Sequence, residues 1–134
     1  MALVVPWDGL FDAARSAQEK AHAPYSRFRV GAAVLTEDGR IHAGCNVENA
    51  SYGLSTCAEQ NAIARAVAEG GARIVALAIV ATAPTPCPPC GRCRQIAWEF
   101  ARPDTPVRSR SSTGEEARYS VGELLPFAFG RDFL

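Results

Sequence analysis

Three cysteines and one glutamate, in Cys57-Ala58-Glu59 and Pro89-Cys90-Gly91-Arg92-Cys93, have the types and spacing to converge on a metal ion. Each segment opens a stretch of helical character, Thr56 to Glu69 and Gly91 to Phe100, so all three sulfurs fall at helix starts. A helix start carries partial positive charge and unpaired N–H groups, which favour a thiolate and lower a cysteine pKa. Catalytic zinc keeps three protein ligands and one open position, and Cys57, Cys90 and Cys93 supply three. Two other arrangements compete. One is a closed four-cysteine site that recruits Cys87 or Cys45, and the other is a thioredoxin-like redox pair, Cys87-Pro88-Pro89-Cys90. Two prolines between the sulfurs, with no strand just before them, weigh against the redox pair. Cys45 alternates with Ile41 and Ala43 and reads as a buried core thiol, while Cys87 reads as a bystander near the site.

Glu59 has two readings of its own. Thr56-x-x-Glu59 matches a capping box, in which the carboxylate merely satisfies the Thr56 N–H. Two residues beyond a candidate ligand, however, the same carboxylate can exchange protons with water activated by the metal. The whole constellation favours general acid/base catalysis.

The elements that must position these groups follow from apolar periodicity. Trp7, Leu10, Phe11, Ala14, Ala17 and Ala21 recur at three-to-four spacing, which predicts an amphipathic helix ended before Pro24. Phe28, Val30, Ala32 and Val34 alternate, Glu37-Asp38-Gly39 supplies a turn, and Ile41, Ala43 and Cys45 alternate again, which predicts a β-hairpin. Residues 46–55 have loop composition and lead into the Cys57 helix, which stops at Gly70-Gly71. Ile74 to Ala81 is an unbroken apolar run rich in β-branched residues, expected as a strand covered on both faces. Strand, helix, strand in that order predicts a crossover and parallel pairing. Thr82 to Cys90 holds four prolines and reads as loop, followed by a helix whose inner face is Ile96, Ala97 and Phe100. From Thr105 to Ser111 the strand signal is weak, with Val107 the one clear apolar residue. Ser120 and Glu123 predict a capping box for a short helix closed by Pro126.

At 134 residues and 48% hydrophobic composition, the chain is sized for one domain, residues 1–134, burying roughly two-thirds of its unfolded surface. With 14 basic and 14 acidic residues the net charge is zero, which argues against nucleic acid as a partner. No apolar run approaches the ~20 residues of a membrane span. The start Met-Ala-Leu-Val-Val-Pro-Trp-Asp lacks a signal-peptide pattern, so the expected compartment is the reducing cytoplasm, where clustered cysteines serve as metal ligands.

Taken together, these motifs resemble the small homotetrameric, zinc-dependent cytidine deaminases of the cytidine/deoxycytidylate deaminase superfamily. The resemblance runs through Ala23-Pro24-Tyr25-Ser26-Arg27-Phe28, Gly44-Cys45-Asn46-Val47-Glu48-Asn49-Ala50, Cys57-Ala58-Glu59, Pro89-Cys90-Gly91-Arg92-Cys93-Arg94-Gln95 and Glu123-Leu124-Leu125-Pro126. It implies an α/β protein with a three-layer α/β/α cytidine deaminase-like fold and a central mixed sheet of about five strands. It also implies that Cys57, Cys90 and Cys93 bind Zn²⁺ and that Glu59 shuttles protons. By the same resemblance Phe28, Asn46 and Glu48 contact a nucleoside, the latter two at the ribose, and the Ala58 N–H meets the pyrimidine carbonyl. Tyr52 helps close the pocket, and Phe129 reaches over the pyrimidine in a neighbouring subunit of a homotetramer with shared sites. Read without the resemblance, Phe28 is a core strand residue, Asn46 and Glu48 are loop polar groups, and Phe127 and Phe129 pack under the chain's own sheet. Arg27, Arg29, His22 and His42 read as surface or core-edge residues.

The implied reaction is hydrolytic deamination of cytidine and 2′-deoxycytidine. Its rivals are a deaminase of a modified cytosine nucleoside, such as blasticidin S, and a non-catalytic zinc-stabilised binding module. One departure stands out. Many relatives carry Arg after the catalytic Glu, where this chain has Gln60, so Arg94 and the helix termini are expected to offset the negative thiolate cluster.

Overall fold

The computed structural model describes residues 4–134. Its elements are α1 (Trp7–Gln18), β1 (Val30–Thr36), β2 (Ile41–Cys45), α2 (Ala58–Ala68), β3 (Ile74–Ala81), α3 (Gly91–Phe100), β4 (Pro106–Arg110), β5 (Glu116–Ser120) and α4 (Val121–Leu124). Short 3₁₀ turns cover Tyr52–Leu54 and Arg131–Phe133. The five strands form one mixed sheet in the order β2-β1-β3-β4-β5, antiparallel except for the β3–β4 pair. This is the α/β architecture expected from the sequence.

Strand alternation sends successive side chains to opposite faces and so builds two cores. Val30, Ala32 and Val34 of β1 face the side covered by α2 and α3, where they meet Ala62, Ile63 and Ala97. Ala33 and Leu35 face α1, against Leu10, Phe11 and Ala14. Between them, β1 and β3 are buried along nearly their whole length, which matches their near-continuous apolar composition. Helix α1 ends three residues earlier than its periodicity suggests. Lys20 and Ala21 bond back to Ala17 and Gln18, a tighter turn that leads toward Pro24.

Three expectations need correction. Strands β2 and β3 run in the same direction but do not pair, because β1 lies between them and pairs antiparallel with both. The parallel partner of β3 is β4, reached through α3. Strand β5 carried no sequence signal that marked it as a strand, yet it closes the sheet in register with β4, Arg108 opposite Arg118. His42 is buried at 3% exposure rather than at an edge, with Nδ1 2.7 Å from Glu69 Oε1 and Nε2 3.3 Å from Thr36 Oγ1. It ties the C-terminal end of α2 to β2. The Ser120–Glu123 capping box forms in both halves. Among the described residues no helix is long and apolar enough to cross a membrane.

Candidate metal centre and active site

Cys57 and Cys90 are the N-cap residues of α2 and α3, both in extended backbone conformation and neither making a side-chain cap. Cys93 lies one turn into α3 and is buried. Gly44 sets the position of α2. A Cβ there would sit 2.5 Å from Ala62 N and 3.0 Å from Ala58 O, so only a glycine lets the helix start lie this close to β2. Asn61 adds a bond from Nδ2 to Cys45 O at 2.7 Å. On the other side, Arg92 donates to Ser55 O at 3.3 Å and links the two cysteine segments.

The three sulfurs lie within 4.8 Å of one another, with Cys57 and Cys90 at 3.8 Å. A tetrahedral zinc with bonds of about 2.3 Å holds its sulfurs about 3.8 Å apart, so the donor set fits that ion. The electrostatics agree. A hydrogen bond with Cys93 lowers the Cys57 thiol to about 6 against the opposing effect of burial, with help from Cys90 and the charge of Arg92. The same contact, with burial and the negative charge of Glu59, Cys57 and Cys90, raises Cys93 above its usual range. Three thiolates this close repel one another, and a divalent cation among them removes that penalty.

The cation acting on Cys57 is Arg92. Arg94, expected from the sequence to offset the cluster, donates instead to Pro89 O at 2.7 Å and Leu124 O at 3.1 Å. Gln60 Oε1 is buried with no hydrogen-bond partner among the described residues. Cys87 and Cys45 stand outside the sulfur cluster. Cys87 is half-buried, its thiol raised first by burial, and its carbonyl accepts from Ser109 Oγ at 2.7 Å. Cys45 is half-buried rather than a core thiol, because β2 is an edge strand.

Glu59 is 5% exposed, and its carboxyl is pushed up to about 7. Burial is the main cause; its own backbone N–H opposes the shift and the Cys57 thiolate adds to it. The capping alternative loses its donor. Thr56 N–H goes to Val47 O at 2.9 Å, and Thr56 Oγ1 accepts from Asn61 Nδ2 at 3.0 Å.

Beside this centre lies a hollow of about 330 Å³ lined by Tyr25, Ser26, Glu48, Tyr52 and Ser55. Ser55, in that lining, lies two residues before Cys57 and accepts the Arg92 bond through its carbonyl. Glu48 accepts from the N–H groups of Tyr25 and Ser26 at 3.0 and 3.1 Å and from the Ser26 hydroxyl. The Ser26 hydroxyl is the largest influence holding its carboxyl below the usual value. Asn46 stitches the entry to β1, accepting from Val30 N–H at 2.9 Å and donating to Phe28 O at 2.7 Å. Phe28 is half-buried at the edge of the α2-side core, and Ala58 is fully buried. Tyr52 is 75% exposed and meets Tyr25 edge-on at 6.0 Å. Phe129 does not line the hollow of its own chain. It is 58% exposed and stacks on Phe133 at 5.7 Å. Tyr25 and Ser26 were given no role from sequence, although Pro24-Tyr25-Ser26 lies inside the motif that carried the resemblance.

The comparisons with known proteins point the same way. Residues 8–108 match the family model described as the cytidine and deoxycytidylate deaminase zinc-binding region. The chain is 48% identical over 120 residues to the cytidine deaminase of Halalkalibacterium halodurans, covering 90% of this chain and 91% of that one. It is 46% identical over 134 residues to that of Mycobacterium tuberculosis, with 97% and 94% covered. The crystal structure of cytidine deaminase from Burkholderia pseudomallei superposes with a TM-score of 0.89 at 46% identity, over 93% of this chain and all of that one. The Mycobacterium leprae enzyme gives 0.78 at 41%, over 92% and 99%. A family defined by a zinc-binding region, matched across the segments that bring three sulfurs together, accounts for the centre and the fold at once: the chain belongs to the cytidine and deoxycytidylate deaminase family.

Proposed function

We propose that this chain hydrolyses the C4 amino group of cytidine and 2′-deoxycytidine, giving uridine or 2′-deoxyuridine and ammonia at a centre held by Cys57, Cys90 and Cys93. The observation that carries the reading is the sulfur cluster beside a buried Glu59 whose carboxyl sits near neutrality. Zinc bound there supplies a Lewis acid that makes water nucleophilic near neutral pH. Glu59 takes one proton from the attacking water and gives it to N3 as the C4–O bond forms, then takes the proton of the new C4 hydroxyl and gives it to the amine as the C4–N bond breaks and the C4 carbonyl is made, releasing ammonia. A carboxyl poised near 7 serves as both base and acid in one cycle.

The Ala58 N–H is one of the helix-start donors without an intrahelical partner and suits the pyrimidine carbonyl. Asn46 and Glu48 hold the loops in shape and keep spare acceptor and donor capacity for ribose hydroxyls. Phe28 and Tyr52 flank the nucleoside. The chain acts as a single domain in the cytoplasm, in keeping with five unpaired cysteines. It assembles as a homotetramer in which Phe129 reaches a neighbour's pocket, a role that suits a ring so exposed in its own chain.

Uridine formation from cytidine, followed by ultraviolet absorbance with and without a chelator, tests the reading. Zinc-dependent turnover supports it, and a zinc-loaded protein that leaves cytidine unchanged overturns it. Mixing inactive Glu59→Gln and inactive Phe129→Ala subunits under exchanging conditions tests the sharing. Recovered activity is expected, because some pockets then combine an intact Glu59 with a neighbour's Phe129.

A further inference from the structure

The outer face of the β4–β5 ribbon carries more positive charge than its own carboxylate balances. Strand alternation turns Val107 and Ser109 toward the α2 side and sends Arg108 and Arg110 to the α1 side. The register then sets Arg118 directly opposite Arg108 and Glu116 directly opposite Arg110, so three guanidinium groups share that face with one carboxylate. Like charges placed directly across a ribbon repel. Glu116 engages Arg110 Nε at 2.9 Å and Arg118 Nε at 2.7 Å, and stands 4.0 Å from Arg108 Nη1. Both short bonds use Nε. The terminal Nη groups of Arg110 and Arg118, and every N–H of Arg108, are left without a hydrogen-bond acceptor among the described residues.

Two of these side chains are held in place rather than free to turn into water. Arg108 and Arg110 are 24% and 27% exposed, and their guanidinium carbons lie 4.1 Å and 3.8 Å from the ring centres of Trp7 and Phe11. Burial, followed by the charge of Arg118, lowers Arg108 from its usual value; Glu116 opposes that shift and Arg110 adds to it. A cation half out of water beside two like charges gains more from an anion than a fully solvated one does. There is room for one nearby. Arg110 also lines a hollow of about 340 Å³ between α1 and the β4–β5 turn, together with Arg15, Gln18 and Ser112. The acidic Asp12 lies 3.5 Å from Arg15 and is taken up by it.

We propose that Arg108, Arg110 and Arg118 form a second binding site, for a dianionic phosphate group, on the face of the sheet opposite the sulfur cluster. Planar guanidinium forks take phosphate oxygens in pairs, and stacking on Trp7 and Phe11 has already fixed two of the forks. A phosphate charge of about −2 also matches the two positive charges that Glu116 leaves over. The site shares no residue with the metal centre or the hollow beside it, so it stands apart from the deaminase reading.

Nitrogen-15 spectra of the arginine Nε–H groups test this on the zinc-loaded protein, slightly above neutral pH, as sodium phosphate replaces sodium chloride at constant ionic strength. The Arg108, Arg110 and Arg118 signals should move together and saturate. Arg108→Gln and Arg118→Gln should each weaken the binding roughly tenfold or more, the loss expected for charge-assisted hydrogen bonds. Arg118 is 67% exposed, so its variant decides the matter even where Arg108→Gln fails to fold. Glu116→Gln removes the competing carboxylate. It should melt lower than wild type in chloride and recover more than wild type in phosphate. Ribose 5-phosphate separates the sources: saturation below the phosphate concentration assigns the site to a phosphate monoester, and saturation above it to the free ion. Signals that respond alike to phosphate and chloride, binding unchanged in both arginine variants, or a Glu116→Gln loss without phosphate-specific recovery overturns the proposal. Cytidine turnover by Arg118→Gln should equal wild type. Absence of turnover in wild type would overturn the deaminase reading instead, and the phosphate titration would still decide the arginine site.

Discussion

The sulfurs of Cys57 and Cys90 lie 3.8 Å apart although 33 residues separate them in the chain, because each caps a helix that starts at the same end of the sheet. Metal analysis should therefore find one zinc per chain. Cys57→Ser, Cys90→Ser and Cys93→Ser should each fall well below that value, and Cys87→Ser should keep it. Zinc lost from Cys87→Ser but retained by Cys57→Ser would place the ion between Cys87 and Cys90.

Glu59→Gln keeps the shape of the side chain and removes its proton chemistry. Turnover should drop by about 10²- to 10⁴-fold while zinc content and folding persist. A helix cap removed without catalytic loss would cost on the order of 1 kcal/mol of stability. Near-normal turnover with a lower melting temperature would therefore return Glu59 to a structural role.

For Glu48 the sign of the pH dependence follows from its partners. Hydrogen bonds from Ser26 and Tyr25 hold its carboxyl below the ordinary 4.5, so the folded state favours the ionised form. That contribution is complete above about pH 4.5 and is lost as pH falls through the folded value. The melting-temperature difference between wild type and Glu48→Gln should be steady near neutrality and shrink on acidification below 4.5. A difference constant down to pH 3 would count against the clamp.

Gly44→Ala tests how α2 is seated. The added methyl meets backbone of Ala62, Asn61 and Ala58 rather than a movable side chain, so relief requires shifting the first turns of the helix that carries Glu59. Overpacking of this kind costs about 1–3 kcal/mol, and turnover should fall further than the melting temperature alone explains. Wild-type turnover in a variant of wild-type stability would show that the helix start tolerates displacement.

The sulfur cluster was legible in the sequence because Cys57, Cys90 and Cys93 depend on local spacing at helix starts. The far side of the sheet was not. On β4, Arg108 and Arg110 stand where apolar residues would announce a buried face, and their guanidinium planes lie 4.1 Å over the Trp7 ring and 3.8 Å over the Phe11 ring. Arginine thus covers the core while reading as surface. Strand β5 is hidden for a similar reason, since Glu116 pairs with Arg110 and Arg118 at 2.9 and 2.7 Å. That β1 lies between β2 and β3 is a matter of tertiary pairing, which no local pattern encodes. His42 looked peripheral because its two partners, buried Thr36 and exposed Glu69, come from other elements of the chain.

Strand β2 grips α2 at both ends, through Gly44 beside Ala58 and through His42 beside Glu69. A helix so splinted cannot fray turn by turn. Its amide protons should exchange with solvent slowly and together, at rates set by detachment of the β1–β2 hairpin, whereas those of α4 should exchange independently and fast. Catalytic geometry at one end of α2 is then only as persistent as the hairpin along its flank. Deuterium uptake resolved along α2 would reveal this as a shared opening rate from Ala62 to Ala68.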